Sequence, residues 1–466
     1  MDCRKLWVPV AIALFAAGCA TQHPTMARSL TDTATTQPTI ITEIQLSKIS
    51  ADSPPASEVA SQSLIIEKLT LTKALALALQ HNPTLAGFAE EIRARDAAAL
   101  QAGLSPNPNL GVEIANFAGQ NDLRGFDGAE TTIALSQLIE LGDKRTKRRH
   151  VAVLEKDLAA WDYQSTKLDV LAATAKAFIQ VLVAQEQVSL NDELVKLAEK
   201  TAAAVGERVD AGKVSPLENT RTQVELAAAQ SEANKTSREL EVARRRLAAF
   251  WGADRSEFVE VVGDLTTITP LPPETMLQTF LARNPDLNRW ESELDRNKSA
   301  LALARSEAVS DLSISAGVRN FRESNTSALV VGIDLPLPLF NRNQGGIGEA
   351  QANVEKARHE QRAAKVALQT ELSEMWQNLA ASYVESSTLH DKILPGALEA
   401  FEATDFGYRE GKLDFLQMLD AQHTLFTVKR QYLLALGNYH ITRSNVERLI
   451  GAPIKSLQNP TITKNN

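Results

Sequence analysis

The side chains that could carry acid–base or metal chemistry are scattered along this 466-residue chain. No two histidines stand at i, i+4 beside a carboxylate, the spacing that holds zinc on one helix face. Residues 345–348 lack the lysine and Ser/Thr of a phosphate loop, and no Gly-x-Ser-x-Gly elbow occurs. The histidines are His23, His81, His150, His359, His390, His423 and His440. The sequence therefore predicts no catalytic residue, no metal site and no cofactor.

Two short stretches, residues 209–218 and 408–417, carry nearly the same pattern. Each predicts a tight turn between two helices, because its glycine can adopt the left-handed conformation that closes a helix. A Ser or Asp N-cap follows, and a Glu or Gln three residues later predicts a capping box. The glycines, caps and capping-box partners are Gly212 and Gly411, Ser215 and Asp414, and Glu218 and Gln417. Their duplication predicts an internal repeat.

Other landmarks recur in the same order along the chain. Asn82 and Asn284 each precede a proline in a helical pattern, and Gly252 and Gly451 each follow the last helix of a copy. The sequence therefore predicts two tandem copies of helix, β-hairpin, long helix, tip and return helix. The predicted segments are residues 69–255 with a tip at 206–215, a linker at 256–273, residues 274–453 with a tip at 405–414, and a tail at 454–466.

Inside each copy the hydrophobic period falls from about 3.6 to 2, which predicts one β-hairpin per copy. The strands, at about 109–117, 129–138, 310–320 and 327–337, are long enough to cross a bilayer when tilted. One face would be apolar: Leu110, Val112, Ile114, Ile133, Leu135, Leu312, Ile314, Val318, Leu329, Val331 and Ile333. The other would hold Glu113, Ser313, Ser315, Arg319 and Asp334. The strands alone leave open an amphipathic sheet lying on a soluble core.

A long helix follows each hairpin. No glycine or proline occurs between Asp143 and Val205, which predicts a helix of roughly 95 Å. In the second copy, Pro395 and Gly396 should bend the equivalent helix. Spacings of three and four residues predict a coiled-coil seam of Leu168, Leu171, Ala175, Phe178, Leu182, Leu190, Leu194 and Leu197. The tight turns make the return helices antiparallel partners of the long ones.

The two cysteines, Cys3 and Cys19, lie close to the N-terminus. A charged start, a short apolar run and a small-residue processing site predict a signal peptide at residues 1–18. The segment resembles a bacterial lipoprotein signal, which implies a lipidated (palmitate-bearing) Cys19; an ordinary signal with an incidental cysteine is the alternative. Residues 19–68 read as an extended tether. No later stretch reaches the roughly 18 apolar residues expected of a transmembrane helix.

Composition narrows the class further. Aromatic residues make up only 5% of the chain, which is typical of long helices packed through small side chains. The formal charge of −8, without a large basic block, argues against nucleic acid as a partner. Four membrane strands cannot close a barrel, and an open edge in lipid is forbidden by its unpaired backbone groups. If the strands span a membrane, several protomers must share one barrel.

The repeated architecture and the run Tyr408-x-x-Gly411 followed by Phe415-Leu-x-x-Leu-Asp-Ala421 resemble the TolC-like outer membrane factor family. The resemblance implies a mainly α fold with a membrane β-barrel: a homotrimer sharing a twelve-stranded barrel, continued by a periplasmic α-helical barrel. It also implies two partners, a periplasmic adaptor (membrane fusion) protein and an inner membrane pump of the resistance-nodulation-division type. Residues 136–145 resemble the CzcC-like branch, which implies efflux of divalent heavy metals.

The resemblance also nominates site residues. Asp420 aligns with an acidic residue of the family's periplasmic constriction, whereas Gln417 replaces a neighbouring acidic position. The gate candidates are Asp420, Asp414, Gln417, Asp210 and Asp405. The alternative is that Asp414 is only an N-cap and Asp420 a solvated side chain. The adaptor-docking candidates are Gly212, Lys213, Val214, Gly411, Lys412 and Leu413, against the alternative that the apolar ones pack inside their own turns.

These expectations describe a passive exit duct rather than an enzyme. It would lie in the outer membrane, anchored by lipid, with a long periplasmic extension. Two alternatives stay open: a drug-efflux or type I secretion duct of the same family, and a lipid-anchored periplasmic coiled-coil scaffold. The basic run of residues 144–149 would lie near lipid headgroups, or form an ordinary solvated face.

Overall fold

The structure is a computed structural model that describes residues 66–454. The predicted signal peptide, Cys19, the tether as far as residue 65 and the tail from residue 455 lie outside the described residues.

The described chain is mostly helical, as predicted. Its first part contains β1 (Ile66–Thr70), α1 (Leu71–His81), α2 (Pro83–Ala102), β2 (Asn109–Ala115), β3 (Glu130–Ile139), α3 (Lys144–Asp210) and α4 (Pro216–Ala248). Its second part contains β4 (Phe258–Val262), α5 (Glu274–Gln278), α6 (Pro285–Glu307), β5 (Leu312–Phe321), β6 (Thr326–Asp334), α7 (Gln344–Thr388), α8 (Leu394–Arg409) and α9 (Phe415–Ile450). Short 3₁₀ turns lie at Asn121–Leu123, Ala249–Trp251 and Leu281–Arg283.

The two long helices begin in the same way but continue differently. Asp143 and Asn343, the residues before α3 and α7, both have left-handed backbones, with φ of 59° and 54°. Helix α3 then runs unbroken for 67 residues, about 100 Å. The equivalent helix of the second half changes to a π-helical turn at Leu389–Ile393. Pro395 lies two residues beyond this turn, and we attribute the turn to its ring, which cannot fit against a regular α-helical turn. The bend of the helix axis stays a prediction.

Helix α3 is the central packing element. Its core positions lie against α4, α9 and the small sheet, in a cluster that includes Phe178, Val181, Leu182 and Leu247. Of the predicted seam, Phe178 and Leu182 are buried, whereas the other positions are half-buried. Because α3 contacts helices on more than one side, its buried surface is broader than a two-helix seam.

A small parallel sheet was not predicted from the sequence. Strand β1 pairs with β4, so residues 66–68 of the predicted tether and residues 258–262 of the predicted linker belong to the folded body. The Gln185 side chain donates to the carbonyl of Val261 at 3.0 Å and accepts from its amide at 2.9 Å. The side-chain amide forms the pair of hydrogen bonds that a neighbouring strand would form, and it connects β4 to the middle of α3.

One helix of the described part, α3, includes an 18-residue stretch long and apolar enough to cross a membrane. The expectation that no stretch after the signal peptide would be long and apolar enough was therefore wrong. Half of the stretch is buried, as in the core helix of a folded domain.

Candidate functional site: the exposed sheet and the helical turns

Strands β2, β3, β5 and β6 form one antiparallel sheet in that order. Its register aligns Leu110 with Leu135, and Ile133 with Val318. The same alternation continues across the last pair of strands, where Ile314 faces Ile333. The predicted division into an apolar and a polar face is therefore confirmed.

The apolar face is exposed. Leu329 is 84% exposed, and Leu110, Val112, Val331 and Ile333 are each more than half exposed. Within residues 66–454 no helix covers these side chains. The outer edges of β2 and β6 also have no strand partner in the described part of the chain. A sheet lying on a soluble core would bury this face, so the arrangement favours contact with lipid and with further strands.

The opposite face carries small and charged side chains. Glu113, Thr132 and Arg319 lie in one row. The Arg319 guanidinium donates to Thr132 Oγ1 at 2.9 Å and to Glu130 at 3.2 Å. The next row is Gly111, Ala134, Gly317 and Val330. A face of this kind suits a water-filled interior.

The two ends of the sheet differ. The helices join at one end, whereas the β2–β3 and β5–β6 connections lie at the other. The β2–β3 loop includes a short 3₁₀ turn, and the rings of Phe117 and Phe126 stack in it with centroids 5.5 Å apart.

Residues 136–145 stabilise the junction between the sheet and the helices through hydrogen bonds and ion pairs. The carboxylate of Asp311 accepts from Lys144 Nζ at 2.7 Å and from the Leu141 amide at 2.9 Å. Arg148 makes two hydrogen bonds to Glu140, at 2.7 and 3.1 Å. These bonds lower the pKa of the Glu140 carboxyl. Much of the basic run is therefore engaged in a network within the chain, rather than forming an ordinary solvated face.

Both tight turns have the predicted backbone. Gly212 and Gly411 are left-handed, with φ of 68° and 73°. The amide of Lys213 donates to the carbonyl of Arg208, and the amide of Lys412 to that of Gly407, both at 2.8 Å. This pattern satisfies the last carbonyls of α3 and α8.

The caps of the two return helices differ. At α9 the capping box is complete: Asp414 accepts from the Gln417 amide at 2.9 Å, and Gln417 accepts from the Asp414 amide at 3.2 Å. At α4 the predicted box is absent. Ser215 Oγ accepts from Leu217 instead, at 3.3 Å. The reciprocal bond of a capping box is missing, and Glu218 Oε2 is buried without a hydrogen-bond partner in the described chain.

The two turns contact each other through Tyr408. The Arg208 guanidinium lies 4.8 Å from the centre of the Tyr408 ring. Burial raises the pKa of the Tyr408 phenol, although the charge of Arg208 partly opposes this; the charge of Glu218 is a smaller raising influence. Beside the ring, Val205, Phe415 and Met418 form a small buried cluster that joins the two hairpins.

The apolar docking candidates lie partly inside their own turns. Val214 packs against the cluster around Phe415, and the Leu413 side chain lies over Gly407, where an added Cβ would meet it at 2.6 Å. Leu217 and Leu416, directly after each cap region, are more than half exposed. Sequence reasoning missed these two leucines, although their equivalent places after the two caps could have indicated them.

The candidate gate carboxylates have different surroundings. Asp405 pairs with Arg409 at 2.7 Å, and Asp414 and Gln417 are engaged in the capping box. Asp210 and Asp420 are exposed and make no ion pair within residues 66–454. The described chain also contains no group of three or more His, Cys, Asp or Glu side chains placed to hold a metal.

Comparison with known proteins gives a consistent family. Residues 74–253 and 276–452 match the family described as outer membrane efflux protein. The chain is 33% identical to the cobalt-zinc-cadmium resistance protein CzcC of Cupriavidus metallidurans, over 82% of this chain and 90% of that protein. It is 25% identical to the outer membrane protein TolC of Escherichia coli, over 75% of each chain.

Solved structures with the same fold have more distant sequences. The outer membrane protein VceC of Vibrio cholerae superposes with a TM-score of 0.69 at 17% identity, covering 82% of this chain and 96% of that one. CusC superposes with a TM-score of 0.64 at 16% identity, covering 85% and 95%. CusC is described as forming a transmembrane channel.

Proposed function

Because this chain belongs to the outer membrane efflux protein family, we propose that it is a passive exit duct for divalent heavy-metal cations. The observation that carries the proposal is the four-stranded sheet, with one exposed apolar face, one polar face and two free edges. Such a sheet is complete only when lipid covers the apolar face and further strands cover the edges. No turnover of substrate is required of it.

Three copies of the sheet would close a twelve-stranded barrel. The polar faces would then line its interior, and the long helices would continue the wall on one side of the membrane. The shared arrangement of β-hairpin, long helix and tight turn in the two halves supports two tandem copies per chain. In a trimer, the turns at Gly212 and Gly411 would supply six tips at the end remote from the barrel.

The tips are the proposed docking sites for a periplasmic adaptor. An inner membrane pump of the resistance-nodulation-division type would deliver cargo through that adaptor. Lipidation of Cys19 would add a second attachment to the outer membrane. Asp420 and Asp210 are the gate carboxylates with the strongest support, because they are exposed and unpaired among the described residues. Three-fold symmetry would turn each into a ring of negative charge, which favours cations.

The metal cargo rests on relatives. The similar protein from Cupriavidus metallidurans is a cobalt-zinc-cadmium resistance protein, and NccC of Alcaligenes xylosoxydans, 26% identical, is a nickel-cobalt-cadmium resistance protein. The alternative cargo is a drug or a secreted protein, exported by the same kind of duct. A duct needs no tight ligand set, because a conduit must release what enters it.

The duct is tested by purifying the chain and adding it to planar lipid bilayers. We expect heat-resistant trimers and stable cation conductance. Monomers that give no conductance would overturn the duct and favour the coiled-coil scaffold.

The cargo is tested separately, by deleting the gene and measuring growth in cobalt, zinc, cadmium and nickel. Unchanged metal tolerance together with raised drug sensitivity would overturn the metal cargo but leave the duct.

A further inference from the structure

The segment after β6 has apolar side chains that no other described residue buries. Residues 335–340 read Leu-Pro-Leu-Pro-Leu-Phe; Leu337 is 71% exposed and Phe340 is 91% exposed. The segment is nevertheless held in one shape. Arg342 Nε donates to the carbonyl of Pro338 at 3.1 Å, and Gln344 Nε2 donates to that of Phe340 at 3.2 Å. An ordered, exposed apolar segment is a preformed contact surface.

A cleft of about 530 Å³ opens at the same end of the sheet, beside β2. It exists because β3 continues to Ile139, whereas its pairing with β2 ends where Ser136 faces Asn109. Ser105 and Pro106 form one wall of the cleft, and Leu138, Ile139 and Arg145 form the other. Arg145 donates to Ser105 Oγ at 2.7 Å and ties the two walls together.

The segment of a neighbouring copy that would lie beside this cleft depends on how the free edges of two sheets pair. Because the sheet is antiparallel throughout, β6 of one copy would run antiparallel to β2 of the next copy. Within one copy, Gly332 of β6 lies in the same row as Asn109 of β2. Membrane strands tilt by about 35–45°, so the level shifts by about 1.2 residues per strand, or about five residues over four strands. If the shift carries β2 of the next copy toward the helices, Asn109 of that copy lies beside residues 335–340. The opposite direction would bring it near residue 327, close to Ser324 in the β5–β6 connection.

Prolines determine the kind of contact. Pro106 and Pro108 precede β2, and Pro336 and Pro338 follow β6. Proline has no N–H to donate, so Pro336 and Pro338 cannot contribute to a strand ladder in this segment, and Pro106 and Pro108 cannot contribute to one before β2. Side chains must therefore carry much of the contact between the two segments.

We propose that residues 335–340 of one copy dock on the cleft beside Pro106 of the next copy and seal the base of the shared barrel. The partner is a second copy of this chain, and Phe340 is the main contact. The inference rests on the proposed function, because it requires the shared barrel. It places an interface below the strands, where backbone pairing has ended.

The proposal is tested by disulfide trapping in the full chain. Asn107→Cys lies directly after Pro106 of the cleft wall and is combined with Phe340→Cys. We expect oxidation to give dimers and trimers on a non-reducing gel, and reductant to remove them. The matched control combines Asn107→Cys with Ser324→Cys, which lies in the β5–β6 connection at the opposite end of the sheet. Single-cysteine variants account for the native Cys3 and Cys19.

Two outcomes are distinguished by glutaraldehyde cross-linking of the unmodified chain. If glutaraldehyde gives trimers but the Asn107–Phe340 pair gives only monomers, lipid covers the segment and the docking proposal is wrong. If glutaraldehyde gives no trimers, the shared barrel itself fails, and the docking proposal fails with it.

A second measurement does not depend on introduced cysteines. Phe340→Ala should lower the temperature at which detergent-resistant trimers dissociate. Phe126→Ala, an exposed aromatic at the other end of the sheet, should leave that temperature unchanged. Equal dissociation temperatures for the Phe340 variant and the unmodified chain would contradict the proposed contact.

Discussion

Asn284 connects the start of α6 with the end of α9: its Nδ2 donates to the carbonyl of Leu449 at 2.8 Å. Its Oδ1 also caps α6 by accepting from the Asp286 amide at 2.7 Å. Asn82 makes the equivalent bond in the first half, from Nδ2 to the carbonyl of Phe250 at 2.8 Å. Each asparagine therefore joins the start of one helix, α2 or α6, to the last helical turn of its half of the chain.

Asn284→Ala should be strongly destabilising. The side chain is only 1% exposed, so the variant loses an N-cap and leaves a buried carbonyl unpaired. The two losses together predict a decrease of about 2–3 kcal/mol in the free energy of unfolding. Chemical unfolding followed by tryptophan fluorescence measures it. Asn284→Ser, which keeps a cap but cannot reach Leu449, should lose about half as much; equal losses for both variants would contradict the second role.

Gly317→Ala should prevent correct assembly of the sheet. A Cβ at this position would collide with the carbonyl of Ile133 and lie 2.7 Å from Cα of Ala134, so backbone would have to move. Gly111 lies in the same row, and its nearest neighbour would be 3.9 Å away. Gly111→Ala is therefore the matched control. We expect heat-resistant trimers from the Gly111 variant and few or none from the Gly317 variant; similar yields would show that the sheet adjusts.

Gly212→Ala and Gly411→Ala should weaken adaptor binding while trimers remain. No described atom lies within 4 Å of a Cβ at either position, so the cost is the left-handed backbone alone, about 1–2 kcal/mol at each turn. Asparagine tolerates this conformation better than alanine, so Asn variants should recover binding. Co-purification with a periplasmic adaptor that binds the unmodified chain measures the effect. Loss of the trimer as well would mean that these glycines serve only the fold.

Asp420→Ala should lower cation conductance through the channel, because it removes from the proposed gate one ring of three carboxylates, which favours cations. Asp420→Glu keeps the charge and is the control. Single-channel recordings in planar bilayers at low salt give the clearest signal, since salt screens exposed charges. Unchanged conductance in the alanine variant would remove Asp420 from the gate.

The junction network predicts an acid-sensitive contribution to stability. Burial opposes ionisation of Asp311, but the bonds from Lys144 and Leu141 and the charges of Lys144 and Arg148 outweigh it and lower the pKa of the carboxyl. A carboxyl with a lowered folded-state pKa stabilises the fold above its unfolded pKa of about 3.9 and loses that contribution as the pH falls through the folded value.

The corresponding experiment measures the midpoint of thermal unfolding between pH 7 and pH 2. The unmodified chain should lose stability more steeply below about pH 4 than Asp311→Asn, which has no carboxyl to protonate. Asp96→Asn removes a surface ion pair with Lys156 and should keep the steep loss. Parallel curves for the unmodified chain and Asp311→Asn would show that another group is responsible.

The elements that sequence reasoning predicted are those governed by local rules. The absence of glycine and proline after Asp143 predicts α3, and alternation predicts both faces of the sheet, because side chains on a strand follow a strict period of two. Gly212 and Gly411 could be identified because few other residues accept their backbone.

The features that sequence reasoning missed depend on distant partners. Strand β1 is five residues long and finds β4 far along the chain, so its local pattern is too short to predict the pair. The capping box at Ser215 satisfied the local pattern, yet Glu218 lies beside Tyr408 from the other hairpin instead. Gln185 can bond to the backbone of Val261 only because α3 passes beside β4.

The two free edges of the sheet also bear on the chain before it assembles. Within residues 66–454 the outer edges of β2 and β6 have no strand partner, and the apolar face beside them is exposed. Such edges pair readily with any extended chain, including a second copy in the wrong register. The unassembled protomer is therefore the form of this protein that is most prone to aggregate. A chaperone that covers strand edges during transit would protect it, and overproduction without one should give aggregates.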